Sequence, residues 1–397
     1  MAIPGMSCIL GGPIWGGIAD KTGKHRCVNI YCIVITSLST LSMQFVSLNQ
    51  YFLMGILVAV SSFHLNPILP LLDQAIMAML THHDNGDYGR QRLFGSIGAG
   101  MGALVCSEVV KHFGIASIFI VQCIASFIAV LALVFLPDCT KRNDDRAKST
   151  LTSSSGMDDL ELEAVRVSSR SLMDGSTQFS YLLSLKQLAQ ASDVVFLFVV
   201  VLLLGTMHAV LGSFLGLFMF NLSHGDPNIV GVSALVQTVA ELPAFFYSDA
   251  IVRRMGTSWV LGLAMIAFGI RLVAYSIIPS AWYMLPVDLL HGLTFSLAWA
   301  ACTIYAYQAA PSDMHGTMLG LLAALFHGFG RGLGNLIGGW IYDHYGPVLL
   351  WRWTALLAPI GILVVAVFHN RQSPKRANNT RLQMESYRRS SPFETPM

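Results

Sequence analysis

Eleven stretches of this chain are apolar almost throughout: 2–19, 28–46, 51–79, 93–111, 115–136, 194–220, 228–249, 258–278, 283–309, 316–341 and 347–368. About 20 mostly apolar residues make a helix long enough to cross the hydrocarbon core of a bilayer. A water-soluble fold has no interior large enough to hide eleven such runs. Charged residues make up only 12% of the chain, against roughly 25% in soluble proteins. Inside lipid every backbone polar group must be bonded within its own segment, and runs of this length satisfy that as helices. The expected fold is therefore an all-α membrane protein with about 11 transmembrane helices. Pro67 and Pro70 predict a kink in the third span.

Lys and Arg set the orientation. The connectors after spans one, three, five and seven, together with the C-terminal tail, hold 20 of the 24 Lys and Arg. Those segments are expected on the cytoplasmic side. Lys111 and Arg352 lie at the other ends of spans, and Arg271 and Arg331 lie within spans. Between 137 and 192 the chain turns polar and lacks an apolar period, which predicts a disordered cytoplasmic linker. Its last stretch, Tyr181 to Leu188, reads as a short interfacial helix. The domain plan is a helical half over 1–136, the linker over 137–192, a six-helix half over 193–369 and a disordered cytoplasmic tail over 370–397.

The two halves echo each other. Gly98, Gly100, Gly102, Leu104, His112, Phe113 and Gly114 return as Gly330, Gly332, Gly334, Leu336, His344, Tyr345 and Gly346, at a constant offset of 232 residues. Asp20 and Gly23, in a basic loop, return in looser form as Asp249, Arg253, Arg254 and Gly256. Glycines at helical spacing let backbones approach closely, so packing alone accounts for many of them. Two related bundles still follow, and internal repeats of this kind are typical of secondary transporters.

Ionisable groups inside spans are costly and need a partner or a watery cavity. At 1.5 Å per residue, Arg271 lies about 20 Å from the cytoplasmic side, and Asp288 and His291 arrive at about 21 and 17 Å. The three share one level, and Asp288 and His291 share a helix face. The group reads as a proton site, as a charge cluster that locks helices together, or as a direct substrate site without protons. Glu241 precedes Pro243, whose missing N–H opens the helix backbone there. Arg331 stands where its repeat mate is Ala99. It reads as a cavity cation that binds substrate or pairs with Glu241 or Asp73. Asp73, near the cytoplasmic end of its span, either lines the cavity or reaches water. Trp299 sits deep enough to stack on a solute or to pack in the core. Trp282, Trp340 and Trp351 sit at span ends, as interfacial anchors do.

The first basic loop reads Gly16-Gly17-Ile18-Ala19-Asp20-Lys21-Thr22-Gly23-Lys24-His25-Arg26. It resembles the signature loop of the major facilitator superfamily, G-x-x-x-D-[RK]-x-G-[RK]-[RK], with His25 in place of the second cation. Gly16, Asp20, Lys21, Gly23 and Lys24 carry the likeness, and Asp20 reads as a conformational latch on facing helix ends. Tyr88-Gly89-Arg90-Gln91-Arg92-Leu93-Phe94-Gly95-Ser96-Ile97-Gly98 resembles the branch holding oligosaccharide– and nucleoside–proton symporters and the eukaryotic major facilitator domain-containing 6-like proteins. Glu241 to Phe246, Leu290 to Phe295 and Gly328 to Gly334 resemble the same branch.

That resemblance implies twelve helices in two pseudo-symmetric bundles with both termini cytoplasmic. Here Met1 begins in what resembles the second helix, so a counterpart of the first is expected upstream. The resemblance also places Glu241, Arg271, Asp288 and His291 on helices whose galactoside–proton counterparts carry an acid, an Arg and a His–carboxylate pair. The order of the last pair is reversed here.

The implied function is secondary active transport, as proton-coupled symport of a small polar solute such as a sugar or nucleoside. The alternatives are an uncoupled uniporter and a transporter-like receptor or scaffold without flux. No P-loop, HExxH or Ser–His–Asp arrangement argues for an enzyme. No cofactor is expected beyond a proton gradient, and no metal site. The net charge of +2 gives no reason to expect nucleic acid. The expected partners are the bilayer and the solute, around a monomer that is integral and multi-pass.

Overall fold

The computed structural model describes residues 2–47, 50–80, 87–114, 116–135, 191–226, 228–311 and 314–372. All regular structure among them is helical. Eleven rods follow in order, one on each apolar run. The first five are α1 (Ala2–Thr22), α2 (His25–Met43), α3 (Tyr51–Leu80), α4 (Tyr88–Phe113) and α5 (Ser117–Phe135). The second group is α6 (Ser192–Leu222), α7 (Asn228–Met255), α8 (Thr257–Ile277), α9 (Ala281–Ala309), α10 (315–345) and α11 (Pro347–Arg371).

Among the described residues, eight of these are long and apolar enough to cross a membrane, and α1, α4 and α10 are not in that set. These three are glycine-rich, and α4 carries Arg90 and Arg92 near its start. The count of spans by length and composition is therefore eight where eleven were expected. Of the linker expected over 137–192, residues 137–190 lie outside the described residues, and with them the expected Tyr181–Leu188 helix; so does the tail from 373.

Several rods are interrupted, whereas α7 runs as one continuous helix through Pro243. α3 stops at Leu65 and resumes at Ile68, around Pro67. α9 is composite: a 3-10 turn at Ala281–Met284, an α turn at Leu285–Asp288, a π segment at Gly292–Leu297 and a regular helix from Ala298. α10 has a π segment at Ala324–Gly330. Such segments widen a helix locally and are frequent at functional sites.

The two groups of rods meet most extensively along α1 with α10 and α4 with α7, and α3 also packs on α10 and α9. At the first, a Cβ on Gly16 would stand 2.4 Å from the carbonyl oxygen of Gly316, and one on Gly12 would stand 2.6 Å from that of Gly320. Backbone touches backbone there, so these positions take only glycine. The repeat is visible in the turns as well. Gly114 and Gly346 have φ of 79° and 82°, and Gly23 and Gly256 have 63° and 83°. A side chain at any of the four would be strained.

The main apolar core lies in α6 to α11, joined by Met77 and Tyr88 from the first group. A small cluster of Ala19, Val28, Cys32 and Leu71 serves α1 to α3. Most of α9 is buried, whereas α5 turns nearly all of its surface outward. Trp282 and Trp340 are half exposed, as interfacial anchors would be, but Trp351 is fully buried. It packs on Phe218 and Tyr275, because α11 turns that edge toward α6 and α8 rather than toward the surroundings.

Candidate functional site

Three rods of the second group converge on one buried polar chain. Arg271 on α8 is 1% exposed and Asp288 on α9 is fully buried. Arg271 Nη2 donates to Asp288 Oδ1 at 3.1 Å, and Nη1 donates to Thr294 Oγ1 at 2.8 Å. Asp288 also accepts from the Tyr275 hydroxyl and, at 2.6 Å on its other oxygen, from Ser233 on α7. Arg271 Nε reaches the Tyr275 hydroxyl at 3.2 Å, and Gln237 donates to Ser233 at 3.1 Å.

The same guanidinium lies 3.2 Å from His291 Nδ1. Arginine carries donors only, so Nδ1 must accept and the ring proton sits on Nε2. Nε2 is 3.1 Å from Glu241 Oε1 and donates to it. One path therefore runs from Asp288 through Arg271 and His291 to Glu241. Exposure rises along it, from 0% for the Asp288 side chain to 16% for Glu241. His208 on α6 packs over the His291 ring and stacks on Phe295 at 4.9 Å. The π segment of α9 begins directly after His291.

The three residues expected at one level, Arg271, Asp288 and His291, are thus in one bonded group, and Glu241 joins it. Ser233, Thr294 and Tyr275 are partners that the sequence reading missed. Tyr275 had a legible signal, since it lies one helical turn from Arg271 on the same face.

A second polar group lies where α3, α4 and α9 meet. Asp73 is 2% exposed and does not reach water. Arg92 Nε stands 3.8 Å from its carboxylate. Tyr88 and Trp299 face Asp73 but stop short of good hydrogen-bond geometry. The Tyr88 hydroxyl, the Trp299 indole nitrogen, the Thr303 hydroxyl and the Gln74 carbonyl oxygen are buried without a hydrogen-bond partner. The Trp299 ring packs on Phe326 and His327. Arg331 is exposed, and it makes no ion pair with Glu241 or Asp73 among the described residues. Their partners are His291 and Arg92.

The signature loop is a helix cap across the two groups of rods. Asp20, at the end of α1, accepts from the backbone N–H of Gly316 at 2.9 Å and of Thr317 at 2.6 Å. It also accepts from the Thr317 hydroxyl at 2.7 Å. These are the free N–H groups at the start of α10, where a negative charge is favoured. Gly16 lies one turn earlier at the backbone contact, Lys21 is in the last turn of α1, and Gly23 and Lys24 form the turn into α2. The repeat partner works the same way: Asp249 of α7 accepts from the N–H of Gly89 at the start of α4. Arg253 of α7 donates to Asp87 at 2.8 Å beside it.

Bundled apolar rods, a buried charge chain and caps that join two repeats fit a multi-pass membrane transport protein of the secondary active type. Residues 1–353 match the MFS_1 like family, and the chain belongs to that family. It is 25% identical over 372 residues to the maltose permease of Geobacillus stearothermophilus, covering 94% of this chain and 85% of that one. It is 26% identical over 137 residues to the mouse major facilitator superfamily domain-containing protein 6-like, covering 34% of this chain and 23% of that one. Among solved structures it resembles the nucleoside transporter NupG (D323A mutant), with a TM-score of 0.61, 16% identity and coverage of 94% and 89% of the two chains. It also resembles the proton:xylose symporter XylE, with a TM-score of 0.66, 14% identity and coverage of 92% and 84%. The fold is the major facilitator fold.

Proposed function

We propose that this chain carries a small polar solute, a sugar or a nucleoside, in symport with protons. The observation that carries the reading is the divided allegiance of Arg271, which donates to Asp288 and to His291 at once. A proton added to His291 would put an N–H on Nδ1, facing a guanidinium that can only donate. The ring must then leave Arg271 and bear on Glu241, and Arg271 is left to Asp288 alone. A proton arriving through Glu241 is thereby converted into a rearrangement between α7, α8 and α9. The relay residues are Glu241, His291, Arg271 and Asp288.

Asp73 and Trp299 would meet the solute, with Arg92, Tyr88 and Thr303 beside them and Arg331 as a further cavity cation. Their unpartnered hydroxyl and indole atoms suit an uncharged molecule with many hydroxyls. The maltose permease and nucleoside transporter likenesses support this solute class. Two halves, 1–136 and 193–369, would rock about that site. The linker, the tail and the loop from Gly16 to Lys24 would lie in the cytoplasm, as the distribution of Lys and Arg supports. With Asp20 and Asp249 both engaged, the arrangement described here is the one closed to that side. The unit is a monomer.

The test is uptake of labelled maltose and uridine into proteoliposomes with an imposed proton gradient. An inward gradient raises accumulation by the parent protein. Glu241→Gln keeps an acceptor for His291 Nε2, so it preserves solute exchange while losing accumulation against a gradient. Normal accumulation by Glu241→Gln and by Asp288→Asn would remove the relay. Binding without flux of any solute would favour the receptor reading.

A further inference from the structure

A groove of about 430 Å³ runs along α7 beside α9, roughly a quarter turn around α7 from Glu241. Ala240, Ala244, Tyr247 and Arg254 line it from α7, and Gly292 and Leu293 from α9. On α7 these positions fall at the spacing that makes one helix stripe, the kind that normally packs on another element. Among the described residues no helix covers it. Tyr247 is 56% exposed. The groove begins where the two rods touch: a Cβ on Gly292 would stand 2.4 Å from the carbonyl oxygen of Ala240. From Ala240 to Arg254 is about 21 Å of helix. That is close to one leaflet, about 15 Å of hydrocarbon and a further 5–7 Å of headgroup region.

The cation at its mouth is placed differently from its neighbour. Arg253 turns inward to Asp87. Arg254 is exposed, and no described residue forms an ion pair with it. An apolar slot one leaflet long, ending in an uncompensated guanidinium at headgroup level, fits an acyl chain with a negative headgroup.

We propose that the groove binds one anionic phospholipid, with an acyl chain along Ala240, Ala244 and Tyr247 and its phosphate on Arg254. The bound chain supports the Ala240–Gly292 crossing, directly beside Glu241 and His291. That the leaflet is the cytoplasmic one rests on the orientation proposed above; the groove and its cation do not.

The test uses the full chain, purified in mild detergent and stripped of lipid. It is incubated with phosphatidylglycerol or phosphatidylcholine, and retained lipid is counted by native mass spectrometry. One phosphatidylglycerol is retained in preference to phosphatidylcholine. Arg254→Gln lowers its retention about five-fold and leaves phosphatidylcholine unchanged. Ala250→Phe fills the slot and lowers both. Three results would overturn the proposal: equal retention of the two lipids by the parent, phosphatidylglycerol retention untouched by both variants, or its displacement by free glycerol phosphate. None of these readings depends on flux, so failure here is separable from failure of the symport reading.

Discussion

The acid–arginine pairs Asp288–Arg271 and Asp73–Arg92 are built to opposite rules. Asp288 and Arg271 meet at 3.1 Å, and the remaining capacity of both is taken up by Tyr275, Ser233, Thr294 and His291. Asp73 and Arg92 stand at 3.8 Å, among hydroxyl, indole and amide atoms that have no partner. An unsatisfied buried polar group costs about 1–3 kcal/mol, and native folds keep few of them. A group of such atoms at the junction of the two groups of rods is where, on the function proposed above, a polar guest would complete the bonding. The satisfied pair is internal to one group of rods, and on that same proposal the unsatisfied pair receives the guest. α9 carries parts of both, Asp288 and His291 above and Trp299 and Thr303 below. A shift of that rod moves the two together.

The largest effect that tests this contrast is on stability. Asp288→Ala leaves Arg271 charged, buried and without an acid, and should cost about 3–5 kcal/mol. Asp73→Ala should cost far less, since the Arg92 side chain is 15% exposed and can turn to water. Denaturation of the two purified variants in the same detergent gives the comparison. Equal losses would show that the two sites do not differ in kind.

A smaller effect separates two tyrosines. Tyr275→Phe removes a bond from Asp288 and should destabilise by about 1–3 kcal/mol. Tyr88→Phe removes a hydroxyl that faces Asp73 without good hydrogen-bond geometry, so stability should change little. Solute affinity should fall about two- to ten-fold in Tyr88→Phe if that hydroxyl binds the guest. Titration of maltose and uridine against both variants, alongside their melting temperatures, decides it. A destabilised Tyr88→Phe with unchanged affinity would make its site structural.

Much of this was readable from the residues. Hydropathy alone locates eleven rods, because lipid forces helices on apolar runs. Counting 1.5 Å per residue put Arg271, Asp288 and His291 at one level, and they bond. The constant offset between halves reappears as matched φ angles at Gly114 and Gly346. What escaped was rotation about helix axes. Ser233 and Thr294 look like ordinary polar residues in an apolar run until the facing rod is known. Arg92 was counted among the cations of a connector, yet α4 begins at Tyr88 and carries it one turn into the helix, toward Asp73. Trp351 fits the pattern of a belt anchor by position, and only the packing of α6, α8 and α11 shows it to be core.

The smallest effect concerns the two caps, which differ as the two charge pairs do. Asp20 takes three bonds from Gly316 and Thr317, whereas Asp249 takes its bond from the N–H of Gly89, with Arg253–Asp87 alongside. An acid at a helix start contributes about 0.3–1 kcal/mol through its charge. Asp20→Asn keeps an acceptor and loses that charge, so the cytoplasm-closed state should weaken by up to about five-fold in population. Asp249→Asn should weaken it less, since Arg253 and Asp87 still tie α7 to the start of α4. Cys302 offers the readout: it is 2% exposed and precedes Thr303 in α9. Its alkylation by a soluble maleimide, mapped by mass spectrometry, should quicken most in Asp20→Asn, less in Asp249→Asn and least in the parent. Equal rates in all three would mean that the caps hold helix ends in place without governing access to the site.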